Sequence, residues 1–247
     1  MTTEQMRLEV EKLWIQHVKL CQDSFLAFVQ EVWPDFICRK SKDPKEWGHH
    51  QIIAKEFTDI VDQRKGRLLI NMPPRHTKSE FASVHYPAWM IGKYPKLKIM
   101  QVSHNTELAA RFGAKVRNII DSPEYKQIFG DVKLREDSKA KGRWETNQGG
   151  EYYAAGVGSI LVVMTRWAED DLTGRLLRAQ TEPKADTWKQ VSFPAILDSG
   201  NPVWPEYWNL EELEKIKASI PIRNWSAQYM QNPTSEEGAI IKRDWGP

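Results

Sequence analysis

Three short apolar runs alternate along the chain with segments that carry apolar residues at helical spacing. The runs lie at 68–70, 97–102 and 160–164, and the amphipathic segments at 51–61, 79–90 and 107–120. A short apolar run bounded by loops favours a buried strand, whereas apolar residues three and four positions apart favour a helix. Strands that alternate with helices are typical of a parallel α/β sheet flanked by helices, which is the fold class predicted here.

Further helices are predicted towards both ends of the chain. One begins at Thr2 or Thr3 and ends by Trp33, which precedes a proline. Another covers 210–218, and 225–229 is expected to begin one more. The proline-rich stretch 194–205 is expected to be a linker. These features predict an N-terminal helical segment (1–46), an α/β core (47–190) and a linker or lid subdomain (191–247).

Composition and charge exclude several classes of protein. The 247 residues carry 35 Lys and Arg against 33 Asp and Glu, so the net charge of +2 indicates no particular partner. The longest nearly apolar run, 160–164, is far too short to span a membrane, and no signal peptide is expected. Cys21 and Cys38 form no disulfide framework and lack metal-ligand spacing, which favours a reducing cytoplasm. No zinc site is expected from the unpaired spacing of the histidines His49, His50, His76, His85 and His104.

The loop 72–79 stands between a predicted strand and a predicted helix, and it reads Met-Pro-Pro-Arg-His-Thr-Lys-Ser. A loop that enters a helix directs several backbone N–H groups to one point, where the helix dipole favours an anion. A lysine there reaches the β- and γ-phosphates of ATP, and the following hydroxyl binds Mg²⁺. Lys78 and Ser79 have these positions, although Met72 and Thr77 replace the usual glycines. Because Thr77 is β-branched, we expect it to keep a negative φ. The alternative is a proline-rich turn with Lys78 as a solvated charge.

The segment from Ile70 to Glu80 resembles the variant phosphate loop of the large terminase subunits of tailed bacteriophages, ATPases that drive DNA into procapsids. Other segments resemble that family in the same order, so that the likeness covers essentially the whole chain: 25–34, 47–51, 102–109, 163–174, 225–232 and 237–245. The resemblance implies a P-loop NTPase fold of the RecA-like (ASCE) type, with a small helical lid subdomain at the C-terminal end.

The resemblance also implies cofactors and partners. ATP and Mg²⁺ are the cofactors. Double-stranded DNA, the portal and the small terminase subunit are the partners, and subunits assemble into a homo-oligomeric ring. A nuclease domain would follow in the same protein. The expected location is the host cytoplasm, at the procapsid portal and not in a membrane.

The resemblance assigns roles to individual residues. Lys78, Arg75 and Thr165 are the expected catalytic residues: Arg75 senses the γ-phosphate and Thr165 couples its loss to movement. Ser79 is the expected metal ligand. The nucleotide would be bound by Pro74, Arg75, His76, Thr77, Lys78, Ser79 and Glu80, with Trp47 and Gln51 at the adenine.

Each of these assignments has a structural alternative. Arg75 is then a surface charge on a turn, Thr165 a strand threonine satisfied by backbone, and Trp47 part of a turn that caps the next helix. The weaker candidates for DNA or subunit contact are equally explained as solvated charges; they are Lys139, Lys141, Arg143, Arg166, Arg175 and Arg178.

An acidic pair after a buried strand, which holds Mg²⁺ and orients water in such ATPases, is not found. Asp121 ends a predicted helix and Asp198 lies in the predicted linker. Gly158 and Ser159 lead directly into the strand at Ile160, leaving no room for a parallel crossover. We therefore expect that a stretch is missing between about Ser159 and Ile160. The resemblance implies an arginine near that stretch that completes a neighbouring subunit's site, and this arginine is expected to be missing with it. A non-enzymatic nucleotide-binding or DNA-scaffold module and a helicase are the alternative functions.

Overall fold

A computed structural model describes residues 2–38, 41–62, 66–101, 106–140, 142–152, 159–183 and 185–234. The chain is α/β, with one parallel and one mixed sheet, so the predicted fold class is confirmed at that level. It divides into two compact units. Unit 1 comprises Met1–Phe36, Ile53–Thr58 and Ser79–Val157, and unit 2 comprises Ile37–Ile52, Asp59–Lys78 and Gly158–Pro247. The three-part division of the chain made above stays a prediction.

Unit 1 begins with two helices where the sequence predicts one. Helix α1 spans Thr3–Asp23 and α2 spans Phe25–Val32. Ser24 between them is extended (φ −116°, ψ 114°), and its hydroxyl accepts a hydrogen bond from the Ala27 N–H at 3.3 Å. A serine hydroxyl that satisfies a free N–H makes a new helix start favourable, and this explains the break.

The other helices of unit 1 follow the predicted pattern closely. The predicted helix 79–90 is helical, and it consists of a π-helical turn, Glu80–His85, followed by α4, Tyr86–Lys93, with Pro87 in its first turn. Helix α5 spans Thr106–Asp121, which confirms the prediction for 107–120, and α6 spans Pro123–Ile128. Helix α3, His49–Asp62, contributes its middle residues to this unit.

Aromatic side chains build the core of unit 1. The ring of Phe25 is fully buried and lies 4.8–5.6 Å, centroid to centroid, from four other aromatic rings, those of Phe57, Phe81, Tyr86 and Trp89. Edge-to-face and tilted pairs at such distances stabilise a core beyond the area they bury. The Phe25 end of α2 is therefore anchored to this core.

The mixed sheet also belongs to unit 1. Its strand order is β2 (Lys98–Ile99), β5 (Glu151–Tyr152), β4 (Trp144–Thr146) and β3 (Leu134–Lys139); only the β2–β5 pair is parallel. The rings of Trp144 and Tyr152 are buried and stacked 5.0 Å apart. The predicted strand 97–102 is thus shorter than expected, and Val102 lies outside the described residues.

The parallel sheet lies in unit 2 and places β1 (Gly66–Asn71) between β6 (Ser159–Met164) and β7 (Lys189–Ser192). The apolar middle of β1, 68–70, is buried, as its sequence predicts. Strand β6 belongs to a different sheet from β5, which precedes it. The missing stretch expected near Ser159 stays a prediction, because residues 153–158 lie outside the described residues.

The C-terminal part of unit 2 is helical and packed. Helix α7 spans Leu172–Ala179, α8 spans Leu210–Ser219, and the short α9 (Ile222–Asn224) runs into a π-helical turn, Trp225–Tyr229. The predicted linker 194–205 differs from expectation. Ala195 and Val203 are buried, and the Val203 N–H donates a hydrogen bond to the Ala195 carbonyl at 2.9 Å. This stretch therefore packs apolar residues inside unit 2. Within the described ranges, no helix is both long enough and apolar enough to cross a bilayer.

Candidate functional site

The loop that follows β1 holds two residues in the left-handed region. Arg75 has φ 59° and Thr77 has φ 60°. The expectation that Thr77 keeps a negative φ is therefore wrong. In a non-glycine residue the left-handed conformation is less stable by roughly 1–2 kcal/mol. At Thr77 the cost is offset by two contacts of its hydroxyl, which donates to the His76 carbonyl at 2.6 Å and accepts from Nε2 of His50 at 2.7 Å.

Lys78 folds back across the loop. Its Nζ lies 3.5 Å from the Pro73 carbonyl oxygen, and its side chain is half-buried. Burial lowers the pKa of this lysine, since it disfavours the ammonium form. Among the described residues Lys78 makes no ion pair with a carboxylate, so the cation lies against the loop without a counter-ion.

Thr165 connects the neighbouring strand to the start of the loop. It directly follows β6, it is buried, and its hydroxyl donates to the Met72 carbonyl at 3.0 Å. The Met72 N–H in turn donates to the Met164 carbonyl at 3.2 Å. The contact satisfies the Thr165 hydroxyl with backbone and links the loop entrance to the end of β6.

Three buried histidines lie together at the loop, and one of them, His76, is a loop residue. The rings of His49 and His50 are 3.8 Å apart, and the ring of His76 is 6.1 Å from that of His49. Burial, followed by the neighbouring His76, lowers the pKa of His49 to about 3. Burial also lowers the pKa of His76 to about 4, with a smaller contribution from the Lys78 charge, and it lowers that of His50 well below the ordinary value. All three rings are therefore neutral at pH 7.

Two tryptophans complete this group, which we call the histidine cluster: His49, His50, His76, Trp204 and Trp208. The Trp204 ring lies 4.9 Å from that of His50, and the Trp208 ring stacks on that of His76 at 6.1 Å. Among the described residues, neither buried indole N–H has a hydrogen-bond partner, and neither do the buried Nε2 atoms of His49 and His76. Sequence reasoning missed both tryptophans because they lie in or beside the stretch taken for a linker. The density of aromatic residues in 204–208 was the available signal.

Gln51 is engaged locally. Its Oε1 accepts from the N–H groups of Ser41 and Gly48, both at 3.3 Å, and its Nε2 donates to the Ser41 carbonyl at 2.8 Å. These contacts cap the start of α3, which is the structural alternative named for this turn. Trp47 is half-buried, and its buried indole N–H has no hydrogen-bond partner within the described ranges.

The remaining loop residues have varied surroundings. The Pro74 carbonyl lies 2.8 Å from Nδ1 of His76, and Arg75 is exposed. Ser79 is half-buried and helical, with no capping hydrogen bond from its side chain. The Glu80 carboxylate forms an ion pair with Lys115. Of the predicted nucleotide-binding residues, Arg75 therefore has the most accessible charged side chain.

Arg166 differs from the surface role predicted for it. Its guanidinium Nε donates to both carboxylate oxygens of Asp171, at 2.9 and 3.1 Å, and both side chains are about nine-tenths buried. Because an inward-facing, paired arginine presents no charge to DNA or a neighbouring subunit, that prediction is corrected. Asp171 was missed, although an aspartate immediately before the apolar residue that opens a helix, here Leu172, signals an N-cap.

Asp171 has a structural role at the start of α7. It accepts from the N–H groups of Trp167 at 2.9 Å and Gly174 at 3.0 Å. Burial alone raises the pKa of the Asp171 carboxyl, but hydrogen bonds from Arg166, Gly174 and Trp167 outweigh burial and hold that pKa below its ordinary value. The turn is tight, since a Cβ on Gly174 would lie 1.7 Å from the Glu169 carbonyl oxygen.

The other basic candidates are only partly described. Arg143 is exposed, the side chain of Lys139 and all of Lys141 lie outside the described residues, and Arg175 and Arg178 are exposed and pair with Asp170. Their role in DNA or subunit contact stays a prediction.

This chain was compared with protein-family models and with curated proteins. Neither comparison finds a match.

Proposed function

We propose that the loop 72–79 binds the phosphates of ATP and that the chain is the ATPase domain of a terminase-type motor that moves double-stranded DNA into a procapsid. The observation that carries the proposal is the loop itself, which has two left-handed residues and an unpaired lysine folded over it. The motor function, its ring assembly, and its portal, small-subunit and nuclease-domain partners rest on the sequence resemblance.

The backbone conformation of the loop supports anion binding. Arg75 and Thr77 are left-handed, whereas His76 between them is not. Alternation of left- and right-handed residues turns successive N–H groups towards one side and forms a concave anion site. Glycine normally supplies such conformations; here two ordinary residues adopt them at a cost in strain. Strain of this kind is concentrated at binding sites, where the surrounding structure maintains it.

Side-chain charge fits the same ligand. Lys78 holds an unpaired cation against the loop, and the exposed Arg75 can extend to the terminal phosphate. Binding a triphosphate would supply the missing negative charge and favour the ammonium form of Lys78. Through the bond from Thr165 to Met72, a change at the phosphate would reach the end of β6.

The residues fit phosphate better than they fit Mg²⁺. The Ser79 hydroxyl is the one metal ligand that the resemblance supplies, and Mg²⁺ in nucleotide sites also uses carboxylates and phosphate oxygens. No carboxylate is paired with Lys78 in the part of the chain that the structure describes. We therefore assign no catalytic step to the metal and expect this chain alone to hydrolyse ATP slowly.

The same observation favours a second candidate, a nucleotide-binding module without hydrolysis. Both candidates share the phosphate site, so binding and turnover must be measured separately. Binding without turnover, even with DNA present, supports the module; DNA-stimulated turnover supports the motor.

The test compares ATP binding by the wild type, Lys78→Ala and Lys215→Ala, using calorimetry. Lys215 is an exposed lysine of α8 in the same unit and serves as the matched control. A charged hydrogen bond contributes about 1.5–3 kcal/mol, so Lys78→Ala should weaken binding by roughly 10- to 150-fold, while the control binds normally. Equal affinity of all three proteins would exclude the loop as the phosphate site.

A further inference from the structure

Three side chains with different metal-binding atoms converge where α1 meets α2. His17 and Cys21 are four residues apart on α1, so they share one face of that helix, and Glu31 comes from α2. Nε2 of His17 lies 2.8 Å from a carboxylate oxygen of Glu31 and 3.7 Å from Sγ of Cys21. All three donor atoms lie within 4.8 Å of one another.

The distance between His17 and Cys21 suits a tetrahedral ion. Zinc bonds of about 2.05 Å to nitrogen and 2.3 Å to sulfur place those two ligand atoms about 3.6 Å apart at the tetrahedral angle. The observed distance between His17 Nε2 and Cys21 Sγ, 3.7 Å, agrees with this value. The His17–Glu31 distance would have to open from 2.8 Å to about 3.4 Å. Glu31 is only partly buried, so a rotation of its side chain can provide that movement.

Burial and charge also favour a cation at this point. Cys21 is fully buried, whereas His17 and Glu31 are partly exposed and leave one side of the group open to water. A thiol beside a carboxylate is a poor nucleophile, but a divalent ion would compensate both negative charges once the thiol proton is released.

We propose that His17, Cys21 and Glu31 form a mononuclear site for a soft divalent cation of the zinc type, with water as the fourth ligand. The mixed sulfur, nitrogen and oxygen donor set selects such an ion over Mg²⁺ or Ca²⁺. The ion would join α1 to α2 across the break at Ser24 and so fix the angle between them. The site lies wholly within unit 1.

The test is a Co²⁺ titration of the reduced, metal-free full chain. Cobalt replaces zinc in such sites and gives an intense near-ultraviolet absorption only when a thiolate is bound. We expect this absorption in the wild type, its displacement by added Zn²⁺, and the release of about one proton from the thiol at neutral pH, measured by calorimetry in buffers of different ionisation enthalpy.

The chain supplies its own matched control, because it has two cysteines. Cys38→Ser should retain the cobalt–thiolate absorption and Cys21→Ser should lose it. His17→Gln and Glu31→Gln change partly exposed residues and should leave the circular dichroism spectrum unchanged. Replacing a residue that only hydrogen-bonds to a metal ligand typically weakens metal binding by roughly 10- to 100-fold. Because each of these two variants would lose a ligand itself, each should weaken Zn²⁺ binding by more than that.

Thermal unfolding keeps the test decisive if Cys21→Ser is less stable. Zn²⁺ should raise the melting temperature of the wild type and Cys38→Ser but not that of His17→Gln, since an ion that binds the folded state stabilises it. The proposal is overturned if the wild type shows no thiolate absorption, if Cys21→Ser retains it, or if folded His17→Gln binds Zn²⁺ as tightly as the wild type.

Discussion

Acid should destabilise this protein steeply, because the histidine cluster must stay neutral in the folded state. The pKa of His49 is lowered to about 3 and that of His76 to about 4, from an ordinary value of 6.5, and that of His50 is also lowered. Between the folded and unfolded pKa values, the unfolded chain binds a proton at each histidine that the folded chain does not. The free energy of unfolding therefore falls as pH drops below about 6.5.

The size of the effect follows from linkage. Each such histidine contributes about 1.4 kcal/mol per pH unit, so the three together contribute up to about 4 kcal/mol per pH unit between about pH 6 and pH 5. Typical domains have a total stability of about 5–15 kcal/mol. Between pH 7 and about pH 5 the three histidines should together remove about 6 kcal/mol, a large part of such a stability.

Urea unfolding, followed by circular dichroism at several pH values between about 7 and 5, measures this slope. His50→Gln removes one titrating group and should reduce the slope by about 1.4 kcal/mol per pH unit. Phe193→Leu is the control: its ring lies 6.0 Å from that of His49, so the change weakens packing without removing a proton site. A wild-type slope below that of one histidine, or the same slope in His50→Gln, would refute the reasoning.

Two further predictions concern the backbone. Arg75 is exposed with φ 59°, so Arg75→Gly should be more stable than Arg75→Ala by about 1 kcal/mol, a difference of about 2–4 °C in melting temperature. Equal melting temperatures would mean that the loop is not left-handed at this position. Gly174→Ala should lower the free energy of unfolding by about 3 kcal/mol or more, because its Cβ would collide with the Glu169 carbonyl. In Gly142→Ala the added Cβ meets only an ordinary contact at 3.5 Å, and urea unfolding should show little change; a similar loss in both variants would count against the tight turn.

Periodicity and apolar runs predicted the elements whose stability is local. The helix expected at 107–120 and the helix expected at 210–218 appear at those positions, and β1 contains the apolar run 68–70. In these segments one face is apolar and the ends carry ordinary stop signals, so the sequence pattern and the packing agree.

Features that depend on distant residues could not be predicted in the same way. Intrinsic preference argues against a left-handed Thr77, yet a hydrogen bond from His50, 27 positions away, helps to hold it there. Trp204 was assigned to a linker because proline-rich sequence resembles one, and its burial against His50 depends on the tertiary fold. Local preference was overridden at both places by tertiary contacts.

The sequence did indicate part of the candidate site. The positions of Lys78 and Ser79 after a buried strand follow directly from the pattern of apolar residues. The buried ion pair between Arg166 and Asp171 could not be predicted in this way. A run of charged residues does not indicate which of its side chains face solvent.

The π-helical turn Glu80–His85 has a consequence for how the segment after the loop tolerates changes in length. In this turn the Tyr86 N–H donates to the Phe81 carbonyl, five residues earlier, so the turn holds about one residue more than an α-helical turn. Losing one residue from an α-helix rotates everything beyond it by about 100°. Losing one residue from this turn would instead convert it to regular α-helix and leave the buried Trp89 of α4 facing the same way. One residue could therefore be lost from this turn without changing the direction in which the following helix presents its side chains. The length of this segment can vary while the aromatic core of unit 1 keeps its orientation.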